Sequence, residues 1–159
     1  MENTEPRLFH RGVVVFIGKG KLRGPLEKRA AELGITDRVR FRDMLPLETL
    51  KYYTADAYLG FQLITNICFN HYSALSNKLF EYIMSDIPVV ACGLVEIKKV
   101  VRQYGVGICV DSREPAEIAR GVNALLDDPE RYAVCRQNCR IAKRQLNWDV
   151  EKVRFLQIY

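Results

Sequence analysis

The sequence predicts an α/β protein with a Rossmann-like open parallel sheet of about five strands, helices on both faces and a helical C-terminus. Short apolar runs rich in β-branched residues, typical of strands buried on both faces, recur about five times along the chain. Each run precedes a segment whose apolar residues recur at helical spacing. Such alternation is typical of parallel strands joined by right-handed helical crossovers. Beyond residues 127–129 the helical pattern continues without a strand.

Two strand–helix units are predicted in the first third of the chain. The continuous apolar run at residues 13–17 predicts a buried, central parallel strand. The Gly-Lys-Gly turn at 18–20 ends this strand, and the helix that follows is expected to end at Gly34. A less buried strand is expected at 39–42, where apolar and charged residues alternate, and Pro46 marks the start of the next helix.

The remaining elements follow the same alternation until the helical C-terminus. Strands are expected at residues 58–63, 89–92 and 106–110. The later helices are one that ends at Gly105, one that begins near Pro115, and two at 132–145 and 150–159. Residues 64–76 are the longest stretch without a regular pattern, and a loop of about a dozen residues in a compact domain is more often functional than idle.

Length and composition favour one soluble domain. The chain has 159 residues, of which 48% are hydrophobic, enough for a single core. We expect a loose lead-in at residues 1–11, a Rossmann-like domain at 12–145 and a C-terminal helix at 146–159. Because no low-complexity tract, export signal or long apolar stretch is present, disorder and a membrane span are disfavoured and a cytoplasmic location is expected.

The positive charge of the chain does not identify its binding partner. The formal net charge is +5, but the Lys and Arg residues are spread along the chain and interleaved with acids. Specific nucleic-acid binding is therefore disfavoured. A basic surface equally suits an anionic small ligand or peripheral association with the anionic inner face of a membrane.

The cysteines do not predict a metal site. Cys92 and Cys109 fall in apolar strand-like runs, where cysteine packs as a small hydrophobic residue. Cys135 and Cys139 share one helix face, but no third or fourth ligand lies nearby and the chain has only two histidines. We expect packing rather than metal binding, and no cofactor.

The start of the helix after the long loop is the candidate ligand site. With Ser76 or Asn77 as its N-cap, the first turn offers unpaired N–H groups and the positive end of the helix dipole, which attract an anion such as a diphosphate. Lys78 adds a full positive charge. Glu81, an acceptor-only carboxylate, suits the paired hydroxyls of a ribose, but a surface salt bridge with Lys78 worth under about 1 kcal/mol fits its spacing equally well. Gly18 belongs to a Gly-x-Gly sequence, which by itself is only a weak signal of phosphate binding. The alternative interpretation is a tight turn between a strand and a helix.

The central stretch ALSNKLFEY at residues 74–82, followed by IPVV at 87–90, resembles the donor-site signature of retaining glycosyltransferases of the GT-B fold, in the large family numbered four. The similarity extends over nearly the whole chain from about residue 12. It includes, in the order typical of this family, IGKG at 17–20, VRF at 39–41, ADAY at 55–58, GVGI at 105–108 and Trp148.

This resemblance implies a nucleotide-sugar-binding C-terminal domain that needs no catalytic metal. It places Glu81 on the donor ribose, residues 76–78 against the diphosphate and sugar, and residues 43–45 near the base. The implied reaction transfers a sugar from an NDP-sugar to a glycan or lipid-linked acceptor, as in polysaccharide biosynthesis. The expected catalytic residues are Lys78 and Glu81. The expected donor-binding residues are Gly18, Met44, Leu45, Ser73, Ser76, Asn77, Lys78 and Glu81.

Two departures from the family pattern shape the functional hypothesis. The family has a second glutamate eight positions before the one that Glu81 matches, and this position is Ser73. The family's acceptor-binding N-terminal domain, and the first strand and basic loop of its donor domain, are missing. We therefore expect a chain that is inactive or weakly active alone, as a piece of a longer enzyme, a split subunit or a relic. The acceptor would then come through a missing domain or a partner subunit, and a homodimer could cover the open sheet edge.

Two alternative functions stay open at this point. One is a basic interaction module that has kept the fold without catalysis. The other is a sugar-nucleotide epimerase-like domain, which would need an acid/base set that the sequence does not display.

Overall fold

The computed structural model of the protein describes residues 12–64, 75–112 and 114–157, and it confirms the predicted α/β class. These residues contain five strands and seven helices. The strands are β1 (Val14–Ile17), β2 (Val39–Arg42), β3 (Gly60–Gln62), β4 (Val89–Cys92) and β5 (Gly107–Val110). The helices are α1 (Arg23–Glu32), α2 (Leu47–Ala55), α3 (Asn77–Met84), α4 (Val95–Tyr104), α5 (Pro115–Leu126), α6 (Pro129–Ala142) and α7 (Trp148–Leu156).

All strand pairs are parallel, as predicted, but the strands form two ladders instead of one sheet. β1 pairs with β2, with Val14 opposite Val39. The second ladder has the order β3-β4-β5, with Gly60 opposite Val89 and Val89 opposite Gly107. The strand count of the predicted sheet is thus correct, whereas its continuity is not seen among the described residues because no ladder joins β1 or β2 to β3.

The three-stranded ladder is covered by helices on both faces. Val89 and Ala91 of β4 point to one face and pack in a cluster with residues of α3 and α4. Val90, between them, points to the other face and packs with Val122 and Leu125 of α5. Since alternate residues of a strand point to opposite faces, this full burial of β4 explains its uninterrupted apolar sequence.

The prediction of a buried central strand at residues 13–17 is wrong for the described structure. Val15 and Phe16 are 46% and 47% exposed, and as neighbours in a strand they point to opposite faces. Phe16 stacks on Phe41 of β2, with ring centroids 5.3 Å apart. Neither face of β1 is therefore fully covered within the described ranges.

Helix α6 crosses the amino ends of β4 and β5. The Cys139 thiol lies 3.6 Å from the carbonyl oxygen of Ile87 and 3.9 Å from that of Val106, the residues that lead into these two strands. Cys135 and Cys139 are both buried, which agrees with the packing expected from their spacing. Helix α6 thus packs at the amino ends of these two strands.

Helix ends follow local sequence signals. Gly105, in the left-handed conformation with φ of 61°, ends α4, and Gly34, with φ of 65°, follows α1. Pro46 directly precedes α2, and Pro115 is the first residue of α5. These ends agree with the predictions because glycine and proline decide local backbone geometry by themselves.

The C-terminal helices begin earlier than predicted. The Asp128 side chain accepts a hydrogen bond from the Arg131 N–H at 2.9 Å and so starts α6 at Pro129. Helix α7 begins at Trp148, which is exposed. Each helix in the described ranges is too short or too polar to cross a lipid bilayer. The domain limits at residues 12 and 146 stay predictions.

Candidate functional site at the start of helix α3

The carboxyl edge of the three-stranded ladder carries the starts of three helices. Helix α3 follows β3, α4 follows β4 and α5 follows β5, so their amino ends share this edge. In open parallel sheets ligands bind outside the carboxyl ends of the strands. Most of the loop between β3 and α3, including the predicted site residue Ser73, lies outside the described residues.

Buried apolar residues hold α3 on the sheet and leave its other side to solvent. Leu79 and Ile83, one turn apart, have no exposed surface. Ser76 has extended backbone angles and is the N-cap, and its hydroxyl accepts a hydrogen bond from the Lys78 N–H at 3.3 Å. Ser76 therefore marks the start of α3, and Asn77 and Lys78 form its first turn at the carboxyl edge.

A cleft of about 430 Å³ separates α3 from α2, and Glu81 lies on its wall. Asn77 and Glu81, four positions apart, share the side of α3 that faces α2. The cleft combines apolar walls with a few polar groups, as small-molecule sites do. It is lined by Leu47, Leu50, Lys51, Thr54, Asn77, Phe80, Glu81, Met84 and Ser85.

Lys78 and Glu81 do not form the salt bridge that their spacing permits. Lys78 is exposed and lies outside the cleft lining. Among the ion pairs within the described ranges, none joins Lys78 to Glu81. The two side chains instead occupy different parts of the helix surface, with Lys78 in the first turn and Glu81 on the cleft wall.

The other predicted donor-binding residues lie at the carboxyl ends of β1 and β2. Gly18 follows β1 with φ of 149° and donates its N–H to the Arg42 carbonyl at 3.1 Å. Met44, which is 74% exposed, and Leu45 follow β2. These three residues are not part of the lining described for the α2–α3 cleft.

An ion pair that the sequence analysis missed joins the start of α1 to the residue that follows β2. The Arg23 guanidinium lies 2.5 Å from an Asp43 carboxylate oxygen and 2.9 Å from Glu27. The hydrogen bond to Glu27, with smaller effects of Asp43, raises the pKa of Arg23. Because Arg23 and Asp43 are 20 positions apart, no short-range spacing could have revealed their contact.

A second missed pair lies where β4 and β5 end. Lys98 Nζ is 2.8 Å from both carboxylate oxygens of Asp111. Gly93 packs directly beside this carboxylate, since a Cβ on Gly93 would lie 1.9 Å from Asp111 Oδ1. Burial raises the pKa of the neighbouring Cys109 thiol. The pair links α4 to the residue that follows β5.

Tyr82 sets the distance between α3 and β3. Its ring covers Gly60, where an added Cβ would lie 2.4 Å from the Tyr82 Cγ. Burial raises the pKa of the Tyr82 hydroxyl, and a hydrogen bond with the Phe61 backbone acts in the opposite direction. Because Tyr82 is adjacent to Glu81, this close contact also positions the cleft wall.

No cluster that could hold a metal ion is present in the parts of the chain that the structure describes. The polar groups at the carboxyl edge are carboxylates, ammonium groups, amides and helix N–H groups. Such groups can bind the phosphates and hydroxyls of a nucleotide derivative directly.

The described residues thus form a Rossmann-like α/β domain with a candidate ligand site at its carboxyl edge, and sequence comparison identifies its family. Residues 2–142 match the sequence profile of the family described as "Glycosyl transferases group 1". The chain belongs to this family, which confirms the resemblance drawn from residues 74–90.

Curated relatives agree with this family. The chain is 29% identical to a D-inositol 3-phosphate glycosyltransferase of Thermomonospora curvata, and the match covers 100% of this chain and 37% of the relative. It is 32% identical to a D-inositol 3-phosphate glycosyltransferase of Salinispora tropica over 82% of this chain and 26% of that protein. The chain thus spans only about a third of the length of these relatives.

Solved structures confirm the fold. Sucrose-phosphate synthase from Thermosynechococcus elongatus superposes with a TM-score of 0.75 at 20% identity, over 91% of this chain and 37% of that one. Anabaena HepE in complex with UDP-glucose superposes with a TM-score of 0.71 at 19% identity, over 84% of this chain and 36% of HepE.

Proposed function

We propose that this domain binds the nucleotide-sugar donor of a retaining group 1 glycosyltransferase. The start of α3 would hold the diphosphate, and Glu81 would accept hydrogen bonds from the ribose hydroxyls. The observation that carries the proposal is the geometry of one helix, whose Ser76-capped start lies at the carboxyl edge while Glu81 lines the adjacent cleft.

Electrostatics favours a diphosphate at the start of α3. The first-turn N–H groups and the helix dipole together act as about half a positive charge. The Lys78 ammonium adds a full charge within the same turn. The Ser76 hydroxyl holds the Lys78 N–H at a long distance of 3.3 Å, so a phosphate oxygen can compete for this donor.

The cleft wall suits a ribose. Glu81 is exposed, and an ionised carboxylate can accept one hydrogen bond on each oxygen from a vicinal diol. Asn77, one turn earlier on the same wall, offers an amide that both donates and accepts. The apolar side of α2, with Leu47 and Leu50, provides a surface for the sugar or base.

The same arrangement supports catalysis of sugar transfer. The bond between the anomeric carbon and the donor diphosphate breaks, an acceptor hydroxyl forms the new glycosidic bond, and its proton leaves with the diphosphate. Since the leaving diphosphate gains negative charge, Lys78 and the start of α3 stabilise the transition state more than the ground state. The acceptor, a glycan or lipid-linked sugar, would bind to a part of the enzyme beyond this domain.

Relatives support the donor class. The curated relatives are named as glycosyltransferases, and HepE, which shares the fold, was solved with UDP-glucose. UDP species are therefore the first ligands to test. The D-inositol 3-phosphate glycosyltransferases are nearly three times as long as this chain, so we do not transfer their acceptor to it.

Calorimetry with UDP, GDP, ADP and UDP-glucose tests the ribose contact. Glu81→Gln should reduce the affinity for the ligand that binds best by at least about tenfold, because it replaces charge-assisted hydrogen bonds worth about 1.5–3 kcal/mol each. Glu48→Gln is the matched control, since Glu48 is exposed in the first turn of α2 and does not line the cleft. Equal affinities of both variants would contradict the role of Glu81.

A melting experiment separates donor binding from an inert interaction module. A ligand at about 100 times its dissociation constant should stabilise the fold by about 2.7 kcal/mol. An unchanged melting temperature at millimolar UDP-glucose, together with no calorimetric heat from any of the four ligands, would refute donor binding by the isolated domain.

A further inference from the structure

The outer side of helix α6 carries one line of exposed residues. Five residues follow one another at spacings of four, three, four and three positions, which places them on one side of a helix. We call this set the α6 stripe, and it consists of Glu130, Val134, Gln137, Ile141 and Arg144. All of them are exposed, Val134 by 59% and Ile141 by 49%. The inner side of α6 is held in the core by the buried residues Cys135, Cys139 and Ala142.

The last member of the stripe, Arg144, lies one turn beyond the end of α6. Helix α6 ends at Ala142, and the Arg144 N–H donates to the Ile141 carbonyl at 3.2 Å. The Leu146 N–H donates to the Ala142 carbonyl at 2.9 Å, so the chain keeps a helical course through this turn. The stripe is therefore about 21 Å long.

The order of residues in the stripe is self-complementary about Gln137. Glu130 lies seven positions before Gln137, and Arg144 lies seven positions after it. Val134 lies three positions before Gln137, and Ile141 lies four after it. A twofold axis brings residues from opposite sides of the axis together, and each such contact occurs twice. An antiparallel pair of α6 helices with the axis at Gln137 thus matches an acid with a base and an apolar residue with an apolar one.

We propose that the α6 stripe is the contact surface of a symmetric dimer of this chain, in which two α6 helices pack antiparallel. Val134 contacts the partner's Ile141 on both sides of the axis, and Glu130 pairs with the partner's Arg144 at both ends. The Gln137 amide meets the partner's Gln137 at the axis, where one amide can donate to the other. At a crossing angle of about 20°, two helices stay close enough over this length for the long side chains at the ends to meet.

The ion pairs around the stripe support this arrangement. On the flank of the stripe, Arg140 and Lys143 pair with Asp86 at 3.4 Å and 2.6 Å. The ion pairs that join described residues do not include Glu130 or Arg144. The two charges that the dimer would pair are thus the ones that form no ion pair within the described part of the chain.

The apolar members of the stripe carry the argument further than its charges do. The helix dipole alone favours an acid in the first turn and a base at the end, as at Glu130 and Arg144. It does not explain why Val134 and Ile141 lie exposed on the same line, because β-branched residues form helices less well than alanine or lysine. Burial against the same pair of residues in a second copy gives both of them an apolar neighbour.

The mixed charge of the stripe favours a second copy over a polyanion. Residues 129–145 contain five basic residues and one acid, so nucleic acid and an anionic membrane are the other candidate partners. The stripe itself has one charge of each sign, and Glu130 would be repelled by a polyanion. Asp127 and Asp128, which are exposed directly before α6, would add to this repulsion.

Sedimentation velocity of the full chain tests the proposal. Because one pair of helices makes a small interface, we expect a monomer–dimer equilibrium with a dissociation constant of about 1–100 µM, measured from about 10 µM to about 1 mM protein. Glu130→Arg places two arginines against each other at both ends and should weaken the dimer at least about tenfold. Arg136→Glu is the matched control, since Arg136 is exposed on α6 but lies outside the stripe, and it should change the dissociation constant less than about threefold.

A charge-swapped double variant separates pairing from folding. Glu130→Arg combined with Arg144→Glu reverses both charges and should restore the dissociation constant to within about threefold of the original chain. The double variant opposes the helix dipole at both ends, so a helix that merely unfolds could not produce this recovery.

Four results would each overturn the proposal. They are a chain that stays monomeric at about 1 mM, equal effects of Glu130→Arg and Arg136→Glu, a double variant that associates as weakly as Glu130→Arg, and association only after addition of RNA or of vesicles that contain phosphatidylglycerol. The last result would identify a polyanion as the partner of α6.

Discussion

Gly60→Ala tests whether the contact between β3 and α3 is as close as the structure indicates. An added Cβ would lie 2.4 Å from Tyr82 Cγ and 2.5 Å from Tyr82 Cδ2. Carbon atoms in contact prefer about 3.5–4.0 Å, so the ring must retreat by about 1 Å. Leu79 and Ile83 are fully buried on the same helix, so α3 cannot move away without disturbing the core.

The expected cost follows from two opposing effects. Overpacking of a well-packed core costs about 1–3 kcal/mol. Replacing glycine by alanine also reduces the entropy of the unfolded chain, which offsets about 0.4–1 kcal/mol. Gly60 has no positive φ, so no backbone strain is added. We expect a net loss of about 1–2 kcal/mol in the free energy of unfolding.

Urea denaturation of a double-mutant cycle measures this effect. Tyr82→Ala removes the ring, so Gly60→Ala should cost almost nothing in that background, with a coupling energy of about 1–2 kcal/mol. Gly24→Ala in α1 is the control, because no atom lies within 4 Å of its added Cβ, and it should stabilise the helix by about 0.5–1 kcal/mol. A loss in Gly60→Ala that persists unchanged without the Tyr82 ring would refute the steric explanation.

Two further predictions concern the core. Gly107→Ala should lower the free energy of unfolding, measured by urea denaturation, by more than about 4 kcal/mol, because its Cβ would lie 2.0 Å from the Val89 carbonyl oxygen. Gly121→Ala should lower it by about 1–3 kcal/mol, because its Cβ would lie 2.8 Å from the Val110 side chain. Equal losses in the two variants would contradict this difference. Burial raises the pKa of the Cys139 thiol to about 12 from 9.0, so the folded state holds this proton more tightly, and the resulting stability is complete below pH 9 and lost as the pH rises toward 12. Cys139→Ala should therefore reduce the alkaline fall of the unfolding free energy, and an unchanged pH slope would refute this role of Cys139.

The ends of helices could be predicted from the sequence because they depend on local chemistry. Gly105 ends α4 in the left-handed conformation, and Pro115 begins α5, as expected from their residue types. The early start of α6 was not predicted, although its signal is local. The Asp128 side chain caps this helix by accepting a hydrogen bond from the Arg131 N–H. Burial was less predictable, because apolar patterning indicates which side chains avoid water but not which layer covers them.

Only part of the candidate site could be predicted. The start of α3 and its capping serine follow from the order of small polar and apolar residues, and Ser76 is the N-cap. The direction of Glu81 could not be predicted, because a spacing of three allows both a salt bridge with Lys78 and separation from it. The position of α2 beside α3, a tertiary contact, defines the cleft that Glu81 lines. Its role in ribose binding stays a prediction.

The incorrect prediction for residues 13–17 has a physical explanation. A run of five apolar residues is typical of a strand with neighbours on both edges and layers on both faces, and β4 with the same pattern has all four. In the described structure β1 has one neighbour, and Val15 and Phe16 are nearly half exposed. Exposure of this apolar surface has a cost of about 25 cal/mol for each Å². The residues of β1 are thus suited to a more central position than the one they occupy among the described residues.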